Sequence, residues 1–274
     1  NKPGNPAAWS TGMDTEMRLW LVGKAETQAV YGEPLVILER QGDWLKVAAI
    51  NQKSALNEYG YPGWVPAAHI VINQTYLRDL KNLPGAVAAK PVIKLYLNKE
   101  LTGASVELCY QTRLPILEEH EGTVTVRNPD GNTGYLSGQD VKKSRKLTFS
   151  RDAIISEAKR FLGVRYIWAG TSSYGFDCSG FTMRLYQSQG VSLPRDADEQ
   201  AREGVAVARN KLLPGDLLFF AAKGGRGQIH HVGMYTGDGM MIHSPSSSST
   251  VRLDRIDSGI YPVEYWGAKR YVLP

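Results

Sequence analysis

The chain has 274 residues, 42% of them hydrophobic, with a formal net charge of +5 at pH 7 and a pI near 9.1. That length exceeds one small domain and suits two or three modules. No run of eighteen apolar residues occurs, which excludes a helical membrane span. No dense Lys/Arg tract of the nucleic-acid-binding kind occurs either, so the mild basic charge fits at most attraction to an anionic polymer.

In chain order, Asn1 to Ala8 lack the basic start and apolar block of a secretory signal. A leader removed ahead of this numbering is compatible with that. Strand-like runs follow at Leu35–Glu39, Trp44–Ala48 and Gly63–Val65, separated by Gly, Asn, Asp and Pro. Short strands with frequent turn signals predict a small all-β barrel. A second, diverged copy of the same grammar runs through Pro115–Glu118, Gly122, Val124–Val126 and Gly134–Leu136. Linkers are expected near Asn73–Gly85 and Lys142–Ser150. The domain boundaries expected from this are 1–78, 79–145 and 146–274. Cys109 lies in the alternating run Val-Glu-Leu-Cys-Tyr and reads as a buried thiol.

The character changes after residue 150. Ile154, Ile155, Ala158, Phe161 and Leu162 recur at helical spacing, with Ser150 as N-cap and Gly163 as stop. A second helix is predicted from Cys178 to Gln189, ended by Gly190. Strand-like runs then follow at Leu217–Ala221, His231–Tyr235, Met240–His243 and Ala268–Val272. Helices followed by an antiparallel sheet predict an α+β domain.

Cys178 sits where a reactive thiol would be placed. Asp177 precedes it as an N-cap, so the thiol falls in the first turn of a helix. There the helix dipole and free N–H groups are expected to favour the thiolate and lower the pKa below its free value of about 8.5. A thiol nucleophile needs a base. Ile229-His230-His231-Val232-Gly233 offers two histidines on opposite faces of one strand, and His243 lies on the next strand after the turn Thr236-Gly237-Asp238-Gly239. A three-residue loop centred on Gly237 would set His231 opposite His243. A two-residue loop at Gly237-Asp238 would instead oppose Val232 to His243 and put His230 on the catalytic face. Parity leaves both open.

Phe176-Asp177-Cys178-Ser179-Gly180-Phe181, Pro214-Gly215-Asp216-Leu217, His231-Val232-Gly233-Met234-Tyr235 and Met241-Ile242-His243 together resemble the NlpC-type papain-like cysteine peptidases. Tyr166–Gly170 and Leu193–Ala197 resemble that family too, with Ala197 departing from a frequent Ser. The resemblance covers roughly residues 150–274. It implies a fold of two small all-β SH3-like barrels followed by an α+β papain-like domain. It also makes Cys178 the nucleophile, His231 the base and His243 its orienting partner, and it makes Tyr166 a side-chain donor to the oxyanion. With two SH3-like modules in front, the chain resembles the YkfC-like γ-D-glutamyl-L-diamino-acid endopeptidases. That implies a substrate site formed by Glu26, Tyr61, Trp168, Asp177, Ser179, Arg195 and Asp196. In it Glu26, Tyr61 and Asp196 would meet a free terminal amine.

The implied partners are peptidoglycan stem peptides of the form L-Ala-γ-D-Glu-diamino acid, handled by a monomer without cofactor or metal. The implied setting is secreted or wall-associated, with a cytoplasmic recycling enzyme as the alternative. Competing readings are a wall-binding protein, an acyl transferase on the same fold, and a zinc site from Cys178, His231 and His243, which lacks a fourth ligand.

Overall fold

The structure, a computed structural model, describes residues 5–144 and 148–272. The expected boundary at residue 145 and the middle of the expected basic linker lie outside the described residues. The chain divides into two compact units, one of residues 1–28, 52–61 and 147–274 and the other of residues 29–51 and 62–146.

The second unit carries the two β modules. In the first module, Leu35–Gln41 pairs antiparallel with Trp44–Ala49 around a bulge between Ile37 and Glu39. The strand Tyr61–Pro66 completes that three-stranded sheet, its first residue belonging to the other unit. The second module forms a seven-stranded sheet in the order Val141–Lys143, Gly85–Ala88, Arg113–His120, Thr123–Arg127, Thr133–Ser137, Val92–Tyr96, Ala104–Cys109. Its alternating residues Ile93, Leu95, Leu108, Leu114, Val124, Val126 and Leu136 fill one core. Cys109 is buried in an edge strand of this sheet, and neither cysteine is in a disulfide.

The segment expected as a linker at 73–85 instead carries the helix Gln74–Asn82. Asn73 caps it by accepting from the Tyr76 N–H, and Tyr76 and Leu80 bury one face. Only two apolar anchors one turn apart mark this helix, too few for a periodic signal. Its buried Asp79 is paired with Arg127 at 2.7 Å.

The first unit contains the helix Arg151–Lys159, capped by Ser150, and the helix Cys178–Gln187, capped by Asp177. Gly163 and Gly190 follow them with positive φ, at the positions expected for helix stops. The sheet is antiparallel and six-stranded, in the order Val205–Val207, Tyr265–Arg270, Leu217–Ala221, Ile229–Gly237, Met240–His243, Arg252–Arg255. The Cys178–Gln187 helix packs against Ile229–Gly237. Phe181 of that helix meets Phe161 and Phe176 at ring separations of 6.2 and 5.5 Å. Burying a side chain of this size stabilises by roughly 1.5–3 kcal/mol. Asp216 of the Pro-Gly-Asp-Leu motif is fully buried between Arg270, at 2.7 Å, and Arg151, at 3.5 Å. The motif thus anchors the entry to the central strand Leu217–Ala221. Residues 1–28 and 52–61 join this unit. Met13 and Leu21 cluster with Ile167, and Lys53 forms a parallel bridge with Pro194.

Candidate active site

Cys178 occupies the first helical position after Asp177. Oδ1 of Asp177 accepts from the Gly180 N–H at 2.7 Å. The same carboxylate receives two N–H groups from Arg195, at 2.5 and 3.1 Å. Arg195, only 1% exposed, also donates to Ser179 Oγ at 3.1 Å and Thr27 Oγ1 at 2.9 Å. The guanidinium is therefore engaged within the protein, holding the helix start from behind. Gly180 is required by packing: a Cβ there would lie 2.1 Å from the Gly170 carbonyl oxygen. Thr182 and Gln200 secure the next turn, since Gln200 accepts from the Thr182 hydroxyl at 2.8 Å and donates to the Ser179 carbonyl at 3.0 Å.

The thiol itself differs from the expectation. Burial, and next the negative charge of Asp177, push the Cys178 pKa up to about 12, against backbone N–H donation from Val232 and Ser179. The helix start does not overcome the loss of water around a buried sulfur. Tyr166 stands close enough for its own ionisation to be opposed by the Cys178 thiolate, and burial keeps its phenol protonated.

The hairpin follows neither of the two expected loops. Met234 pairs with Ile242 and Tyr235 with Met241, a bulge falls at Thr236, and Gly237 pairs with Met240 across Asp238-Gly239. Continued, this register sets Gly233 against His243, where a Cβ would come within 3.2 Å of the His243 Cβ and 2.9 Å of the Met241 sulfur. His231, two residues along, is then diagonal to His243 on the same face, within reach of a ring. His231 Nε2 lies 2.7 Å from His243 Nδ1. His230 points the other way and meets Glu264 at 3.1 Å. Burial, then His243 and His230, hold the His231 pKa well below 6.5. Burial brings His243 down to about 4, against the pull of Asp254. Both shifts oppose net charge in a dry site. Passing a proton from Cys178 to the imidazole creates none.

Further residues gather beside this centre. Tyr61 donates to Asp196 Oδ2 at 3.1 Å. Glu26 is exposed, and its charge is felt by the Tyr61 phenol. Burial, chiefly, raises the Asp196 pKa. The Trp168 indole donates to the Ala25 carbonyl at 2.9 Å, and Thr171 Oγ1 to the Gln28 carbonyl at 2.8 Å. Of the sequence-expected residues, Tyr61 and Asp196 are thus in contact, and Glu26 lies within electrostatic range of the Tyr61 phenol. Sequence reasoning missed Asp254, which meets His243 Nε2 at 3.1 Å, and Thr27 and Gln200. Alternation in Val251-Arg252-Leu253-Asp254-Arg255 was the available signal for Asp254. Among the described residues no group of three or more His, Cys, Asp or Glu is placed to hold a metal ion.

Residues 163–270 match the NlpC/P60 family, residues 23–70 the bacterial dipeptidyl-peptidase Sh3 domain, and residues 89–143 the YKFC SH3b2 domain. A gamma-D-glutamyl-L-lysine dipeptidyl-peptidase of Bacillus cereus is 42% identical over 270 residues, 96% of this chain and 81% of that protein. One from Bacillus subtilis is 33% identical over 264 residues, 96% of this chain and 87% of that protein. The crystal structure of an NlpC/P60 family protein from Bacillus cereus superposes with a TM-score of 0.94 at 41% identity, covering 99% of this chain and 90% of that one. With the thiol, the paired histidines and the two β modules in one chain, this protein belongs to the NlpC/P60 family of peptidases, as a member with two bacterial SH3 domains.

Proposed function

We propose that the protein is a cysteine endopeptidase hydrolysing the γ-D-glutamyl-L-diamino-acid bond of cell-wall stem peptides that begin with a free L-Ala. The observation carrying this reading is a buried thiol at a helix start, bonded to the backbone of Val232 next to the paired His231, in one compact unit with the phenol–carboxylate pair Tyr61–Asp196 and the nearby charge of Glu26. Cys178 Sγ attacks the γ-carbonyl, and its proton passes to His231 Nδ1, the ring nitrogen not engaged with His243. The Cys178 backbone N–H and the Tyr166 phenol donate to the oxyanion, each worth about 3 kcal/mol. His231 returns the proton to the leaving α-amine of the diamino acid. Water then cleaves the thioester by the same route in reverse.

The amine end supplies selectivity. An ammonium between Glu26 and Asp196 replaces its water shell with charge-assisted hydrogen bonds. The exposed Trp168 reaches this region through its bond to the Ala25 carbonyl, whereas Ser179 and Asp177 are buried and act through their hold on Arg195 and the helix start. Bacterial SH3 domains and a wall-peptide substrate support a secreted or wall-associated setting. No helix among the described residues is long and apolar enough to cross a membrane.

Mass spectrometry of products from defined muropeptides tests the reading. L-Ala-γ-D-Glu should be released from free peptides, and cleavage at any other bond overturns the assignment.

A further inference from the structure

The strand Arg252–Arg255 contributes a group to the centre that the thiol and the two histidines do not account for. Asp254 Oδ2 lies 3.1 Å from His243 Nε2. The same oxygen accepts from Arg252, at 2.8 and 3.0 Å, and from the Tyr261 hydroxyl at 2.9 Å. Burial would raise this carboxyl, but the bonds from Arg252 and Tyr261 and the facing His243 hold it below the usual range. It is an acceptor only. His243 Nε2 must therefore carry a proton, which leaves His243 Nδ1 as a lone pair when the ring is neutral. At 2.7 Å from that lone pair, His231 Nε2 must be the donor, and His231 Nδ1 is left unprotonated.

We propose that Asp254 is a positioning residue that sets the tautomers of both histidines, so that His231 presents a basic Nδ1 to Cys178. The inference rests on the proposed role of Cys178. When the proton arrives on His231, both of its nitrogens are donors, and His243 can accept from one while donating to Asp254. The carboxylate stabilises that imidazolium through one intervening ring without taking the proton. The charged and titratable groups around His243 are His231 from the neighbouring strand, Arg252 and Asp254 from the edge strand, and Tyr261 from the segment before the last strand. Of these Asp254 alone is anionic at neutral pH, and Arg252 opposes a positive His243.

The test is the pH dependence of Cys178 alkylation by iodoacetamide in the full chain, read by peptide mass mapping so that Cys109 does not interfere. It is paired with kcat and KM on L-Ala-γ-D-Glu-L-lysine and with the melting temperature. Asp254→Asn should slow alkylation near neutral pH and lower kcat, each by about ten- to a hundredfold, with KM unchanged. The alkylation midpoint should move to higher pH, because thiolate formation loses its stabilised imidazolium partner. Asp254→Glu should recover much of the rate. An Asp254→Asn enzyme with the wild-type alkylation profile overturns the inference, and so does a loss confined to melting temperature. If wild-type Cys178 itself alkylates like an ordinary thiol, the nucleophile assignment fails and the inference falls with it.

Discussion

Cys178, His231, His243 and Asp254 all come from the C-terminal part of the chain, on one helix and three neighbouring strands. Glu26, Tyr61 and Asp196 come from three separate segments, two of them ahead of that part. The thiol and the two histidines of the first group are almost dry, with His231 6% and His243 0% exposed. The second keeps one face in water, since Glu26 is exposed and the Asp196 side chain is 36% exposed. Under the proposed function, the difference divides two tasks. Proton transfer needs fixed geometry and little water, which a sheet register and a capped helix provide. The proposed recognition of an ammonium needs carboxylates that an incoming amine can reach from water, and Glu26 and Asp196 keep such a face.

The most severe way to break this comparison is at the thiol. Cys178→Ala should abolish hydrolysis while circular dichroism and melting stay close to wild type. A tenth of wild-type turnover in that variant would mean the nucleophile lies elsewhere. Next, His231→Ala should cost about a hundred- to ten-thousandfold in kcat. His230→Ala, on the other face beside Glu264, should stay within a few-fold. The reverse order would contradict the bulged register at Thr236.

Behind the site, Arg195→Met leaves the Asp177 carboxylate buried without its cation. Unfolding should become easier by about 3–5 kcal/mol, measured by urea denaturation. Adding Asp177→Asn should recover part of that loss, since Asn still caps the helix. At the amine end, Glu26→Gln should reduce kcat/KM on free L-Ala peptides by about ten- to a hundredfold, from about 1.5–3 kcal/mol of lost charge-assisted bonding. Acetylation of the alanine should do at least as much to the wild type. Equal rates on capped and free peptides would separate the cluster from the substrate.

A separate effect, with no substitution at all, is on stability against pH. Burial holds His243 near 4 and His231 lower than its ordinary 6.5. The unfolded chain protonates both near pH 6.5. Depressed folded-state values mean that the stability is intact above about pH 6.5 and is lost as pH falls toward 4. The slope should approach about 1.4 kcal/mol per pH unit for each histidine. His243→Gln should show a shallower decline over that window, and an unchanged slope would mean that His243 is not held neutral.

Much of the catalytic part was legible in the sequence because its signals are local. A Ser or Asp cap, helical spacing and a terminal Gly act within a few residues, so the helices at Arg151–Lys159 and Cys178–Gln187 could be placed from spacing alone. Only the family resemblance of His231-Val232-Gly233 favours His231 over His230, and Gly233 makes physical sense because the facing strand leaves no room for a Cβ. The bulge at Thr236 was not legible, because one extra residue shifts register without changing residue type. The helix Gln74–Asn82 was not legible either, because its sequence lacks apolar repeats.

Pattern and residue chemistry by themselves therefore determined the β-rich first half, the α+β second half, the thiol and the candidate histidines. Tertiary structure alone decided the rest. It pushed the Cys178 thiol up rather than down, because desolvation depends on what covers the sulfur and not on its neighbours in the chain. It brought Asp254 to His243 through an edge strand. It also gathered residues 52–61 with the C-terminal part, where Arg195 N–H donates to the Lys53 carbonyl at 2.8 Å and the Ala55 N–H to Glu199 at 3.0 Å. Contacts between segments so far apart leave no periodic trace in either one, because each residue answers to a partner that its own neighbours do not specify.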